Sequence, residues 1–517
     1  MKKNYFLKTV KALFVFASLM TGLSLQANSI TNPSLTSKTT KAVGDVFSVA
    51  GIRYRVTAET TGNYTVEVIS NAYAGNINIP ATVDYNSKTY SVTNIDSHAF
   101  SECKSLFTVT LPNSLVSIEY EAFNLCTSLT SVTIPESVIS IGYGAFRACT
   151  SLPSVVLPSS LISIGTNTFS SCYALKSVNI PDSVTSIGDY AFYSCSALTS
   201  VIIPDSVTTI GSSAFGSCSS LAYLKLSNSL KFTGNGVFKG CKFSSITLPD
   251  SLPSIAFETF YGCRFLTSII IPNSVASIGV SAFANCSSLT SVILPNSIKS
   301  IEGTAFSSCT SLSSIIIPNS VTSVKNRAFY NCSSLTSVAI PSSVTSIEEF
   351  AFAFCSSLAL VTIPNSVTSI AQYAFYNCYS LTSIVAQNPI PVDLTNINPV
   401  FLGVNKTYCT LYVPVGSVPA YKAAYQWKDF LQITDDALAT TDIKKVNTVL
   451  YPNPAKDMVT IDHLGKDTEI QIVDLVGREV YRIKSKNNSA TINTSTFQNG
   501  VYLVKAGQTV FKLQIAK

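Results

Sequence analysis

The stretch VTSIGDYAFYSCSALTSVIIP, residues 184–204, decides the fold, because nearly the same sequence returns 23 positions further along the chain. One repeat can be written LxxVxIPxSVxxIxxxAFxxCxS. The repeat is marked by a cysteine whose step is always 23, apart from one step of 22 between Cys241 and Cys263. Self-similarity at this period is typical of a leucine-rich-repeat solenoid that adds one coil per repeat. The periodic cysteines are Cys103, Cys126, Cys149, Cys172, Cys195, Cys218, Cys241, Cys263, Cys286, Cys309, Cys332, Cys355 and Cys378.

Each coil is predicted to contain two short strands. In LTSVTIP, residues 129–135, Val132 and Ile134 alternate with polar residues, which is the period of a strand. Pro135 ends that strand because proline has no N–H for a ladder. The following SVxxI piece is a second short extended segment, and AFxxC turns the chain towards the next coil.

Stacking places equal positions of neighbouring coils side by side, at the roughly 4.8 Å spacing of adjacent strands. One phenylalanine per coil then forms a buried ladder, each worth about 4–6 kcal/mol by area before ordering costs. The sequence therefore predicts a mainly β solenoid of about 13 coils with β-rich caps. The ladder phenylalanines are Phe100, Phe123, Phe146, Phe169, Phe192, Phe215, Phe238, Phe260, Phe283, Phe306, Phe329, Phe352 and Phe375.

The first 27 residues read as a secretory signal peptide. A Lys-rich start precedes an apolar run that is too short for a membrane span, and cleavage is predicted after Ala27. No later stretch approaches 18 apolar residues, so no transmembrane segment is expected in the mature chain. The net charge of +6 is spread without basic blocks, which argues against nucleic acid as a partner.

The chemistry-bearing residues do not form a recognisable catalytic or metal site. An exported chain with 14 cysteines first suggests disulfides, but 13 of them follow the repeat. A zinc site needs close thiolate pairs such as C-x₂-C, which the sequence lacks. Of the two histidines, His98 occupies a variable repeat position and His463 lies near the C-terminus. No catalytic, cofactor-binding or metal-binding residue is therefore predicted, and the chain is not expected to be an enzyme.

The repeat resembles the BspA-type leucine-rich repeats of bacterial surface proteins over residues 43–434. The entry DVFSVAGIRYRVTAETTGNYTVEVI and the exit TLYVPVGSVPAYKAAYQWKDFLQI, which contains the single tryptophan, Trp427, resemble the caps of that family. Both ends of a solenoid must cover an open hydrophobic coil.

From about Leu450 the segments YPNPAKDMVTI, QIVDLVGREVY and NGVYLVKAGQTVFKLQIAK predict a small β-sandwich. They resemble the C-terminal sorting domain of the type IX secretion system of Bacteroidetes-like bacteria. The resemblance implies contact with the secretion machinery, export across the outer membrane, and removal of the domain on surface attachment. The motif residues are Pro452, Asn453, Pro454, Gly477, Gly500 and Tyr502.

These patterns predict seven segments. They are a signal peptide (1–27), a linker (28–43), an N-terminal β cap (44–94), the solenoid (95–385), a C-terminal cap (386–434), a linker (435–448) and the sorting domain (449–517).

The outward face of the first strand is the predicted partner-binding surface. Three successive isoleucines with small neighbours would form an exposed apolar strip, and such patches often mark contact sites. The alternative is that β-branched residues simply suit a strand surface. The predicted residues are Ile270, Ile293, Ile316, Ser268, Ser291 and Ser314.

The coil KLSNSLKFTGNGVFKGCKF, residues 225–243, departs from the repeat. Ser227 replaces the usual proline, Thr233 replaces a buried isoleucine, and four lysines crowd the stretch. It is either a basic docking site or drift in a tolerant repeat.

The resemblance implies an adhesin that contacts host matrix, plasma or bacterial surface proteins, without cofactor. The alternative is a structural or spacer component of the cell envelope with no specific ligand. A hydrolase would need a catalytic domain, and no segment is left over to provide one.

Overall fold

The computed structural model describes residues 43–435, 449–451, 455, 457–462, 464, 467–474, 478–485, 489–507 and 509–515. The predicted signal cleavage at Ala27, the linker after residue 435 and His463 lie outside the described residues. So do four residues of the sorting motif, Pro452, Asn453, Pro454 and Gly477.

The chain enters the solenoid through a small sheet. Strands β1 (Val46–Val49), β2 (Ile52–Thr60) and β3 (Asn63–Val68) form an antiparallel meander, and β5 (Thr82–Tyr85) forms a hairpin with β6 (Lys88–Ile95). β3 pairs with β6 in parallel, so the entry sheet leads directly into the parallel stacking of the repeats.

The first side of each coil carries the LxxVxIP strand. Its row of parallel strands falls into several short sheets. The row consists of β4 (Gly75–Asn78), β7 (Leu106–Thr110), β9 (Ser131–Thr133), β11 (Ser154–Val156), β13 (Ser177–Asn179), β15 (Ser200–Ile202), β17 (Tyr223–Lys225), β20 (Ser268–Ile270), β22 (Ser291–Ile293), β25 (Ser337–Ala339), β27 (Leu360–Ile363), β29 (Ser383–Ala386), β30 (Thr410–Val413) and β31 (Gln432–Asp435).

The second side carries the SVxxI piece, also in parallel. This row continues β6 and is interrupted twice, after β10 and after β18. It consists of β8 (Ser117–Ile118), β10 (Ser140–Ile141), β12 (Ser163–Ile164), β14 (Ser186–Ile187), β16 (Thr209–Ile210), β18 (Phe232–Thr233), β19 (Ser254–Ile255), β21 (Ser277–Ile278), β23 (Ser300–Ile301), β24 (Ser323–Val324), β26 (Ser346–Ile347) and β28 (Ser369–Ile370).

The solenoid has about 16 turns, against the 13 coils predicted. The difference lies at the ends, where β4 pairs in parallel with β7 and where β30 and β31 continue from β29. Helix α1 (Val418–Ala423) and a 3₁₀ turn (Trp427–Asp429) follow β30.

The third side, formed by the AFxxC segment, contains an unbroken backbone ladder although it is not a β-strand. In thirteen successive coils the phenylalanine N–H donates to a carbonyl of the next coil at 2.7–3.1 Å, from Phe100 on Ala122 to Phe375 on Val400. Two residues per coil have positive φ, such as Tyr190 at 55° and Ser194 at 58°. The predicted corner is therefore a third hydrogen-bonded side.

The predicted phenylalanine ladder is confirmed. All thirteen rings are buried, and neighbouring rings stack with centroids 4.8–6.2 Å apart. Phe401 extends the stack beyond Phe375 at 5.6 Å. Trp427 then packs against Phe401 at 5.2 Å, and its Nε1 donates to the Val392 carbonyl at 2.9 Å.

The cysteines are buried and carry free thiols. In twelve successive coils the Sγ–H donates to the phenylalanine carbonyl of the preceding coil at 3.0–3.3 Å, as Cys172 does to Phe146. Burial raises the pKa of the Cys172 thiol to about 12. The repeated cysteine is thus both a small apolar core residue and a hydrogen-bond donor between coils.

Several glycines after the second strand sit where a side chain has no room, which gives a direct test of coil spacing. A Cβ added to Gly234 would lie 2.3 Å from the Ser212 nitrogen, whereas one added to Gly303 would lie 3.3 Å from the nearest atom. We expect Gly234→Ala to lower the free energy of unfolding by about 1–3 kcal/mol, because backbone must shift. Gly303→Ala should change it by less than about 1 kcal/mol. Urea unfolding measures both; equal effects would contradict this account.

The C-terminal domain forms two antiparallel sheets around its own core, a small β-sandwich as predicted. β32 (Val449–Tyr451), β33 (Met458–Asp462) and β36 (Ser489–Asn493) form one sheet. The other contains β34 (Glu469–Asp474), β35 (Glu479–Lys484), β37 (Gly500–Ala506) and β38 (Thr509–Ile515). Of the motif residues, Gly500 begins β37, and the buried Tyr502 donates its hydroxyl to the Gln498 carbonyl at 3.0 Å.

Candidate binding surface

The predicted isoleucine strip lies on the first side, and its members differ in exposure. Ile270 and Ile293 face each other across the parallel pair β20–β22 and are half-buried. Ile316 is 51% exposed and lies in the next coil, where residues 312–318 form no strand. The structure therefore aligns two of the three side chains in a ladder.

The serines that flank this strip follow the same pattern. Ser268 pairs in register with Ser291, and both are half-buried, whereas Ser314 is exposed. The strip is consequently an apolar row with a narrow polar border, and its role in binding remains a prediction.

A second apolar strip, missed in the sequence, lies on the second side. Val116, Ile139 and Ile162 occupy the same position in three successive coils, and the two isoleucines are 58% and 62% exposed. The Ile139 N–H donates to the Val116 carbonyl at 3.0 Å, so those two coils are in direct contact. The sequence signal for this strip lies at the first x of SVxxI. Val, Ile and Ile occupy that position in these three coils, whereas most later coils have Thr, Lys or Ala there.

Aromatic residues gather on the third side near the start of the solenoid. The Tyr120 and Tyr143 rings stack at 5.1 Å, and the His98 ring lies 5.3 Å from Tyr120. His98 is exposed, as expected for a variable repeat position, and its Nε2 is 3.3 Å from a Glu121 carboxylate oxygen. In this contact the His98 side chain is exposed, whereas the Glu121 side chain is mostly buried.

A second aromatic cluster lies on the third side near the end of the solenoid. Phe350 stacks on Tyr373 at 5.0 Å, and the Arg327 guanidinium lies over the Phe350 ring at 4.7 Å. Tyr376 and Phe354 pack edge to face beside them at 5.0 Å. Tyrosine and arginine are common among residues that dominate protein interfaces.

The irregular coil keeps its core but loses regular polar contacts. Ser227 is fully buried, and the buried Thr233 Oγ1 has no hydrogen-bond partner within the described residues. Lys239 forms an ion pair with Glu258 at 2.7 Å and lies over the Tyr261 ring.

The buried thiols are poor nucleophiles at neutral pH. Burial raises the pKa of thiols along the ladder, to about 12 for Cys172 and Cys332, so the protonated form dominates. Across the part of the chain that the structure describes, no three His, Cys, Asp or Glu residues come together in a way that could hold a metal ion. A helix both long and apolar enough to cross a membrane is also lacking in that part.

Stacked coils with a 23-residue period, two short parallel strand rows and an aromatic core define a leucine-rich-repeat solenoid. The model of the BspA-type leucine-rich-repeat region matches residues 81–199, 185–309 and 277–398. The chain therefore belongs to the BspA-type leucine-rich-repeat family. A second model, the secretion system C-terminal sorting domain, matches residues 449–514.

Solved structures of bacterial repeat proteins are similar to this chain. A leucine-rich-repeat protein from Bacteroides ovatus is 26% identical with a TM-score of 0.60, covering 75% of this chain and 99% of its own. A leucine-rich cell surface protein from Faecalibacterium prausnitzii is 27% identical with a TM-score of 0.41, covering 66% of this chain and 94% of its own. Comparison with curated proteins gives no significant match.

The sorting domain establishes where the protein goes. The chain is exported by type IX secretion to the cell surface or the extracellular space, and its C-terminal domain engages the secretion machinery. The repeats thus reach the outside of the cell.

Proposed function

We propose that this exported protein is a non-catalytic adhesin whose solenoid binds host matrix, plasma or bacterial surface proteins. The observation that carries the proposal is the alignment of exposed apolar side chains in successive coils, above all Val116, Ile139 and Ile162. Folded surfaces seldom expose contiguous apolar patches without a contact to make. The central part of a protein interface is likewise apolar.

The isoleucine strip is tested by replacing Ile270, Ile293 and Ile316 together with serine. We expect partner binding to weaken at least about tenfold, because apolar area is lost from the contact. Stability should fall only modestly, since the side chains are half-buried or exposed. The measurement is a pull-down with the mature chain against matrix proteins, serum proteins and bacterial cells, followed by titration of the captured partner.

The matched control comes from the same column of the solenoid as Ile270. Thr110, Thr133 and Thr362 occupy the column of Ile270, and replacing them with serine should leave binding unchanged. The Val116, Ile139 and Ile162 strip is replaced with serine in parallel. Unaltered binding in both apolar variants would remove these surfaces from the proposal.

The second candidate function is a spacer in the cell envelope without a specific ligand. Many surface hydroxyls are used within the stack, which favours this alternative. The Ser206 Oγ donates to the Val184 carbonyl of the preceding coil at 2.7 Å, and equivalent serines repeat this bond along the chain. A spacer would capture no saturable partner in the same pull-down.

A further inference from the structure

The irregular coil is one residue short at a defined place. Cys241 and Ile246 are five positions apart, where Cys218 and Leu224 are six apart in the preceding coil. Phe243 takes the buried leucine position and packs edge to face on its neighbouring ladder ring, Phe238, at 6.3 Å. The core is therefore preserved, and the missing residue falls between Cys241 and Phe243, at the corner that leads onto the first side, because Phe243 and Ile246 keep the three-residue spacing of Leu221 and Leu224.

On that side the strand row opens. Residues 243–248 form no strand, and within the described chain no backbone hydrogen bond joins β17 to residues 245–248. β17 pairs only with β15, so its other edge is open. An open strand edge accepts an additional extended segment by main-chain hydrogen bonding.

A groove of about 490 Å³ lies between β17 and residues 245–248. Tyr223 and Lys225 line one wall, Ser245 and Thr247 line the other, and Asp250 lies on the lining towards one end. This volume falls within the roughly 300–1,000 Å³ typical of binding clefts. The groove therefore has room for a few residues of extended chain.

The charge near the groove is positive by a narrow margin, since Asp250 lies on the lining and the Asp205 carboxylate is hydrogen-bonded to the lining residue Asn228. Among the described residues, Lys225, Lys231 and Lys242 make no ion pair, while Lys239 is neutralised by Glu258. Lys225 lines the groove itself, and Lys242 lies three residues before Ser245. An acidic occupant complements this arrangement, and a basic one opposes it.

We propose that this groove binds an extended acidic segment of a partner protein, which adds a strand to the open edge of β17. Its main chain pairs with β17, its carboxylates face Lys225, and the exposed Tyr223 ring packs against it. This site rests on the proposed function, because it names the kind of segment that an adhesive partner would present.

The test uses the full mature chain and two labelled synthetic octapeptides that alternate Val or Thr with Glu in one and with Lys in the other. We expect the Glu peptide to bind at least about tenfold more tightly than the Lys peptide, and its binding to weaken with salt. Lys225→Glu should reduce Glu-peptide binding at least about tenfold. Lys299→Glu, which makes the same charge change at an exposed position elsewhere, should leave it unchanged.

A second variant inserts one serine between Lys242 and Phe243 and restores the 23-residue spacing. It should close the groove and abolish Glu-peptide binding while raising hydrogen-exchange protection of the Leu224 and Leu226 amides. Should this variant misfold, the same amides are followed in the wild-type chain, where added Glu peptide must protect them. Absence of that protection overturns strand addition.

The outcomes separate this site from the general function. Equal affinity for the two peptides, or full binding by Lys225→Glu, overturns the site. A protein partner that binds Lys225→Glu as well as wild type also overturns it, while adhesion stands. Groove binding without any captured partner upholds the site and removes adhesion. Dimers of the chain that Lys225→Glu disrupts would make a second copy the occupant and overturn the proposal.

Discussion

Between pH 8 and pH 10, six buried thiols are together expected to lower the unfolding free energy of the solenoid by on the order of 8 kcal/mol. Burial raises the pKa of six ladder and cap thiols from about 9 to about 12. One pH unit above the unfolded-state pKa, each such thiol contributes about 1.4 kcal/mol to the loss. The loss is large beside the 5–15 kcal/mol of a typical domain. The six are Cys172, Cys218, Cys263, Cys332, Cys378 and Cys409.

The direction of the pH dependence follows from whether the folded or the unfolded state binds the thiol proton more tightly. The folded pKa lies above the unfolded value, so the stabilisation is complete below about pH 9 and is lost as pH rises towards 12. Burial likewise raises the pKa of Tyr54 to about 12, which acts in the same direction. Urea unfolding at pH 7, 8, 9 and 10 measures the slope.

A double variant isolates the contribution of the thiols. Cys172→Ala with Cys332→Ala removes two buried ionisable groups, so the fall between pH 8 and pH 10 should be about 3 kcal/mol smaller. An unchanged slope, or a wild-type stability that is flat over this range, would show that the thiols ionise without unfolding.

Replacing Phe215 with alanine should lower the free energy of unfolding by about 3–5 kcal/mol. The ring is fully buried and stacks on Phe192 at 5.2 Å and on Phe238 at 6.2 Å. Its removal leaves a cavity in the middle of the stack, and each coil contacts only its neighbours. Urea unfolding followed by circular dichroism should therefore show an earlier and broader transition.

The matched control is Phe107→Ala. The Phe107 ring is 50% exposed on β7 and lies outside the ladder. Its loss should cost less than about 1 kcal/mol, because little area is removed from the core. A similar cost for both substitutions would mean that stacking of the ladder does not hold the coils together.

The repeat made the fold predictable from sequence. A fixed period places each Phe and each Cys at the same position in every coil, so one correct assignment applies to all of them. The proline after Ile134 and the alternation before it correctly predicted β9, but residues 312–318, LSSIIIP, have the same pattern and form no strand. The two ends were less predictable, because β4, β30 and β31 continue the stack without the AFxxC signal.

The third side was not predictable, for a physical reason. Tyr190, Ser194 and their equivalents adopt positive φ without being glycine, so composition gives no warning of the conformation. The thiol bonds to phenylalanine carbonyls also depend on the neighbouring coil rather than on local sequence. The exposure of individual side chains was also not predictable, since Ile270 is half-buried whereas Ile162 is exposed.

The donor and acceptor pattern on the third side is the same at every junction from Phe100 to Phe375. Any two coils therefore present compatible third-side surfaces to each other, and removing or duplicating a complete 23-residue unit preserves this ladder. Recombination between near-identical segments of the gene can then lengthen or shorten the protein in whole coils. The length of the solenoid then changes in equal steps of one coil.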